Sequence, residues 1–126
     1  MHPSRSVVGV LITFRRPQIL EAHLRRLAEQ TAGLDRLVVV DNDADPGVAS
    51  IVESFGGAAA GQVEYLPVGG NTGPAGGIAA GIAHGLETAH ADDLLVLLDD
   101  DDPPPAADTL ESLQRVFDDR SAHDPA

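Results

Sequence analysis

The sequence has no cysteine, no lysine and no tryptophan. Without cysteine there is no disulfide, no thiolate metal site and no thiol nucleophile. Without lysine there is no P-loop lysine, no Schiff-base lysine and no receiver-domain lysine. Positive charge is scarce: eight arginines stand against twenty acidic residues, for a formal net charge of −12. Binding to nucleic acid or to an anionic membrane surface needs clustered positive charge, so the composition speaks against both. No apolar run approaches the roughly 18 residues of a membrane span. The segment Met1 to Ser6 is polar rather than signal-like. The expectation is a soluble, cytoplasmic protein. At 126 residues and 43% hydrophobic, the chain can build one domain with a real core.

What is present reads as alternating strands and helices. Val7 to Thr13 and Leu37 to Asp41 are continuous β-branched and apolar runs, as expected of strands buried on both faces of a parallel sheet. Between them, Pro17 suits a first helical position, and Leu20, Leu24 and Leu27 form one apolar stripe up to Gln30. Val48 to Phe55 reads as a short helix and Gly56 to Gly61 as a flexible loop. Gln62 to Leu66 alternates like an edge strand, and Pro67 to Pro74 is a Gly-rich turn. Ala75 to His90 reads as a long helix. Its Gly77, Gly81 and Gly85 recur on one face and imply close packing on the sheet, with Ile78, Ile82 and Leu86 as a neighbouring core stripe. Leu94 to Leu98 is the most apolar strand. Ala107 to Phe117 is a closing helix with Leu110, Leu113 and Phe117 on one side. The pattern predicts a three-layer α/β/α sandwich around a mostly parallel sheet. Residues 1–126 form one domain, with a core over 7–102, a closing helix within 103–117 and a frayed tail over 118–126.

In open α/β sheets, ligands bind beyond the carboxyl ends of the strands. Those ends carry Thr13-Phe14-Arg15-Arg16, Asp41-Asn42-Asp43-Ala44-Asp45, Asn71-Thr72-Gly73-Pro74-Ala75-Gly76-Gly77 and the run Asp99 to Asp102. Successive carboxylates repel, and a hard divalent cation such as Mg²⁺ or Mn²⁺ relieves this with oxygen ligands. In an extended segment, residues two apart point the same way, so Asp100 pairs with Asp102, or Asp99 with Asp101. Mg²⁺ completes its shell with phosphates and water, which suits a nucleoside diphosphate. Glycines before a helix open backbone N–H groups to an anion. Their spacing does not fit G-x-G-x-x-G. Asp41 and Asn42 can meet ribose or base, or serve as a turn and cap. Arg15 and Arg16 are candidates for holding a diphosphate. Calcium-loop readings fail, because Pro46 or Pro105 falls where the loop needs glycine. The histidines (His2, His23, His84, His90, His123) show no ligand spacing, and His23 and His84 read as packing or surface residues.

Together these segments resemble family 2 glycosyltransferases of the GT-A fold, most of all the rhamnosyltransferase and galactofuranosyltransferase branch. Val10 to Leu20 is similar to that branch's first strand and its T-Y-N-R-P-x-x-L turn, with Arg15 where Asn is usual and Arg16 at the Arg. Val38-Val39-Val40-Asp41-Asn42 is similar to its V-V-V-D-N strand end, whereas Asp43-Ala44-Asp45 departs from the usual G-S-T-D. Asn71 to Gly77 resembles its N-x-G-x-A-G-G turn, and Leu98 with the Asp run resembles its metal-binding L-D-D-D, a D-x-D motif. Matching the downstream P-x-x-D-x-L to Pro105, Asp108 and Leu110 favours Asp100 and Asp102 as the metal pair. Counting from the strand end favours Asp99 and Asp101.

The resemblance implies a nucleotide-sugar-binding half using Thr13, Arg15, Arg16, Asp41, Asn42, Asn71, Gly73, Gly76, Gly77 and Asp100. It implies a UDP- or dTDP-type donor, Mg²⁺ or Mn²⁺ as Lewis acid, and inverting transfer to an acceptor hydroxyl. The family's catalytic base lies downstream of the metal motif, and no residue here is a candidate for it. Two other readings compete: a nucleotide- or metal-binding module without turnover, and an acidic scaffold for basic partners. A strand edge left unpaired leads to the expectation of a homodimer.

Overall fold

A computed structural model describes residues 6–69, 73–87, 89, 90 and 92–123. The elements run β1 (Val7–Thr13), α1 (Pro17–Ala28), β2 (Leu34–Asp41), α2 (Pro46–Ala59), β3 (Ala60–Pro67), α3 (Gly73–Leu86), β4 (Leu94–Asp99) and α4 (Thr109–His123). The strands form one four-stranded sheet in the order β3-β2-β1-β4, and every pairing is parallel. The register is nearly level: Thr13 lies opposite Asp41, Asp41 opposite Pro67, and Ile12 opposite Asp99. The polar residues that end the strands therefore meet at one end of the sheet.

The two apolar runs are the central strands. Alternate side chains of β1 and β2 enter opposite cores, which is why both sequences are apolar without a break. Val7, Leu11, Leu37 and Val39 pack with Leu20, Leu24 and Leu27 of α1, Val48 and Val52 of α2, and Leu110 of α4. Val10, Val38 and Val40 form the smaller core on the other face, under α3. The three layers match the expected sandwich. No helix among the described residues is long and apolar enough to cross a membrane.

The glycines of α3 are the reason that helix lies so close. A Cβ at Gly81 would stand 2.5 Å from Val10 Cγ1 and 2.7 Å from Val40 Cγ2, a contact only a bare backbone tolerates. Leu86, expected in the core, is exposed instead, because α3 ends there. The loop expected over Gly56 to Gly61 is also absent. Helix α2 continues to Ala59 and passes directly into β3. Gly56 is buried, and a Cβ there would lie 3.0 Å from Val63 Cγ1. Close packing of helix on strand, rather than flexibility, accounts for that glycine. Helix α4 runs on to His123, beyond the expected end at Phe117. Strand β3 is an edge, as its alternation suggests. Strand β4 is the other edge, with Leu97 exposed.

Candidate functional site

The level strand ends enclose a cavity of about 670 Å³, lined by Ile12, Thr13, Phe14, Arg15, Arg16, Asn42, Asp43, Gly73, Asp99 and Asp100. The turn after β1, the turn after β2, the start of α3 and the end of β4 all contribute. Of the residues expected at a site, Thr13, Arg15, Arg16, Asn42, Gly73 and Asp100 come together here. Asn71 lies outside the described residues. Gly76 and Gly77 stand off the cavity, and Gly77 packs against the Asn42 side chain, where a Cβ would be 3.2 Å from Oδ1.

Asp100 is the anchor of the cleft. Its side chain is only 2% exposed. Arg16 donates to it from Nε (3.1 Å) and from Nη2, and Thr13 Oγ1 donates at 2.8 Å. The neighbouring acid Asp101 is exposed and 3.5 Å from Arg16 Nη1. A buried carboxylate needs such a partner, since a lone buried charge costs several kcal/mol. With both oxygens engaged, Asp100 joins the end of β4 to the end of β1. The expected pair Asp100 and Asp102 thus has one buried and one exposed member. Asp99 is different: it is exposed and lines the cavity. No hydrogen bond or ion pair among the described residues engages its carboxylate. Asp102 is exposed and does not line the cavity. No preformed cluster of three or more ligating side chains exists among the described residues.

Asp41 serves its own turn. Its carboxylate accepts the N–H groups of Asp43 (3.1 Å) and Asp45 (2.7 Å) and the Tyr65 hydroxyl (2.5 Å). Burial and the Asp41 carboxylate push the Tyr65 phenol above its ordinary range. Asp45 caps α2 through Gly47 N at 2.7 Å. The turn-and-cap reading therefore describes Asp41 and Asp45. Asn42 Nδ2 donates to the Gly73 carbonyl at 2.9 Å and ties the start of α3 to the end of β2.

Arg15 meets Asp43 through Nε at 2.6 Å and Nη2 at 3.2 Å. The hydrogen bond and charge of Arg15 hold the Asp43 carboxyl below its usual range. The guanidinium also lies 5.0 Å from the Phe14 ring centroid. Arg15 adopts a left-handed backbone with φ 53°. Asn tolerates that region well, and Asn is the residue the resemblance expects there. Arg15 and Asp43 are both departures from the family pattern, and here they pair with each other.

Two contributors escaped sequence reasoning. The Tyr65 hydroxyl is one. The other is His23, whose side chain is 1% exposed and whose Nδ1 donates to the Asp100 main-chain carbonyl at 3.1 Å. Burial pushes its imidazole below the usual range, against the pull of nearby Asp100 and Asp99 carbonyls. The signal was present: His23 falls at i+3 within the stripe Leu20, Leu24, Leu27, a polar residue at a core position.

The family model for glycosyl transferase family 2 matches residues 10–123. The chain belongs to that family. It is 39% identical over 83 residues to galactofuranosyltransferase GlfT1 of Mycolicibacterium smegmatis, covering 64% of this chain and 25% of that protein. It is 41% identical over 88 residues to galactofuranosyltransferase GlfT1 of Mycobacterium tuberculosis, covering 66% of this chain and 27% of that protein. The chain thus spans about a quarter of these curated relatives. Among solved structures it is similar to the mannosyltransferase PcManGT from Pyrobaculum calidifontis in complex with GDP-Man and Mn²⁺, with a TM-score of 0.68 and 24% identity, over 86% of this chain and 31% of that one. S. aureus TarS gives a TM-score of 0.71 at 20% identity, over 90% of this chain and 20% of that one. At these identities the structural likeness is one of fold, and it is the fold the family implies.

Proposed function

We propose that this family 2 chain is the donor-binding part of a glycosyltransferase. It takes a nucleoside diphosphate sugar at the carboxyl ends of β1, β2 and β4 and presents it for inverting transfer to an acceptor hydroxyl. The observation that carries this reading is the Asp99 carboxylate. It is exposed, unengaged among the described residues, and part of a 670 Å³ cavity. The buried acid beside it, Asp100, is already matched by Arg16.

Mg²⁺ or Mn²⁺ needs only one or two carboxylates and completes its shell with water and phosphate oxygens. Asp99 and Asp101 fit that need. Asp99 supports this register over Asp100 with Asp102, because it lines the cavity unengaged among the described residues while Asp100 already meets Arg16 and Thr13; Asp101, exposed, meets Arg16 at 3.5 Å. Asp99 and Asp101 would hold such a cation, which would supply Lewis-acid stabilisation of the charge on a departing nucleotide.

The chain's own residues do the rest. Arg16 and Thr13 hold the end of β4 against β1. Asn42 holds α3 so that its first N–H groups, from Gly73 onward, open toward an anion. Arg15 offers a guanidinium whose present partner is solvent-exposed, suited to exchange for a phosphate oxygen. The base that deprotonates the acceptor is assigned to no residue of this chain. The donor is taken as UDP- or dTDP-linked from the branch resemblance. The GDP-Man held by the mannosyltransferase adds GDP to the panel to be tested.

Calorimetric titration of UDP, dTDP and GDP, with and without Mn²⁺, tests the reading. One nucleotide binds only with Mn²⁺, and Asp99→Asn weakens it at least about tenfold. Binding that ignores Mn²⁺ would overturn the proposal. Loss in Asp102→Asn but not in Asp99→Asn would restore the other register.

A further inference from the structure

The segment from Asp100 to Leu110 faces a problem of its own making. Pro103, Pro104 and Pro105 have no N–H, so the segment cannot build an internal ladder, and its carbonyls need donors from elsewhere. The donors come from α1 and its end. His23 Nδ1 meets the Asp100 carbonyl at 3.1 Å. Arg26 Nη2 meets the carbonyls of Pro104 (3.1 Å) and Pro105 (3.3 Å). Gln30 Nε2 meets the carbonyl of Ala106 at 2.7 Å. Positions 23, 26 and 30 follow i, i+3, i+7, the spacing of one helical face. Helix α1 therefore acts as a splint, gripping the main chain of the segment rather than its side chains.

We propose that His23 is the positioning residue of the cation-binding turn. This rests on the assignment of Asp99 and Asp101 to the cation. A carbonyl only accepts, so the imidazole carries its proton on Nδ1. That bond fixes the peptide between Asp100 and Asp101, the middle of the turn that carries Asp99 at its start and Asp101 within it. The turn is closed by Asp102 N donating to the Asp99 carbonyl at 3.1 Å. The other ring nitrogen, Nε2, is buried and has no hydrogen-bond partner. An unpartnered buried nitrogen is unfavourable, and a leucine in this stripe would carry none. What the imidazole supplies that leucine cannot is the bond to Asp100.

The test compares His23→Leu, which removes the donor and keeps apolar bulk, with His23→Asn, whose Nδ2 can donate from near the Nδ1 position. Two readouts are taken: amide hydrogen exchange at Asp102 in metal-free protein, and affinity for Mn²⁺ alone by paramagnetic resonance. His23→Leu remains folded, exchanges at Asp102 about tenfold faster and binds Mn²⁺ about tenfold more weakly. His23→Asn recovers most of both. The proposal is overturned if His23→Leu matches the wild type in either readout, or if His23→Asn behaves like His23→Leu. Wild-type protein that takes up no Mn²⁺ would remove the cation assignment instead, and the exchange comparison would still decide whether His23 holds the turn.

Discussion

Arg15 and Arg16 are neighbours in the chain, and each sets two nitrogens on one aspartate carboxylate. The two pairs are nonetheless different in kind. The acceptor of Arg16 is Asp100, 2% exposed, shared with Thr13 and placed between two strand ends. The acceptor of Arg15 is Asp43, 32% exposed, on a turn. In a third pair, Arg36 with Glu64, the carboxylate falls between the other two in exposure, and the pair joins β2 to β3, with His84 of α3 on the other Glu64 oxygen. Hydrogen-bond geometry does not separate these pairs. The environment of the carboxylate does, because water competes for an exposed acid and not for a buried one. The buried pair joins two strand ends, and the more exposed pair sits on a turn open to water.

Removing one member of a pair at a time breaks or sharpens that comparison. The largest effect belongs to Arg16→Ala, which strands the buried Asp100 and lowers unfolding free energy by about 3 kcal/mol in a urea titration. A loss no greater than that of the exposed pair would erase the distinction. Glu64→Gln comes next, at about 1 kcal/mol near neutral pH. Arg36 and His84 hold the Glu64 carboxyl below its ordinary 4.5. A lowered carboxyl stabilises the fold above the unfolded value and loses that contribution as pH falls through the folded one. Wild-type stability therefore declines more steeply than that of Glu64→Gln as the pH drops below 4.5, which urea curves at a series of pH values would show. Arg15→Ala has the smallest effect on folding, too small to shift a urea midpoint. Its effect lies in ligand binding, where affinity for a Mn²⁺-nucleoside diphosphate falls by about tenfold. Asp43→Asn, which frees Arg15, does not weaken that binding. Equal losses in both variants, measured by calorimetry, would make the pair structural after all.

The glycines show where local pattern stops. Gly56 suggests a loop because glycine is a poor helix former, yet it is the residue that lets α2 lie on Val63. Gly81 does the same for α3, and there a fourfold spacing announces the helix face. A lone glycine pair carries no such period. His23 is a packing residue, as its place in the leucine stripe allows, and what the local pattern does not carry is its partner, a main-chain carbonyl 77 residues away.

The amino-acid order by itself determined the parallel sheet, the three layers and the end of the sheet where the site lies. Those follow from local signals: unbroken apolar runs, a leucine stripe, and polar residues where each strand stops. The division of labour within Asp99 to Asp102 was decided only by tertiary structure. Four identical side chains in a row carry no local information about which is buried. That depends on where Thr13 of β1, Arg16 before α1 and His23 of α1 arrive, all more than 75 residues earlier in the chain. Desolvation and distant hydrogen bonds, rather than residue type, make Asp100 an anchor and leave Asp99 open.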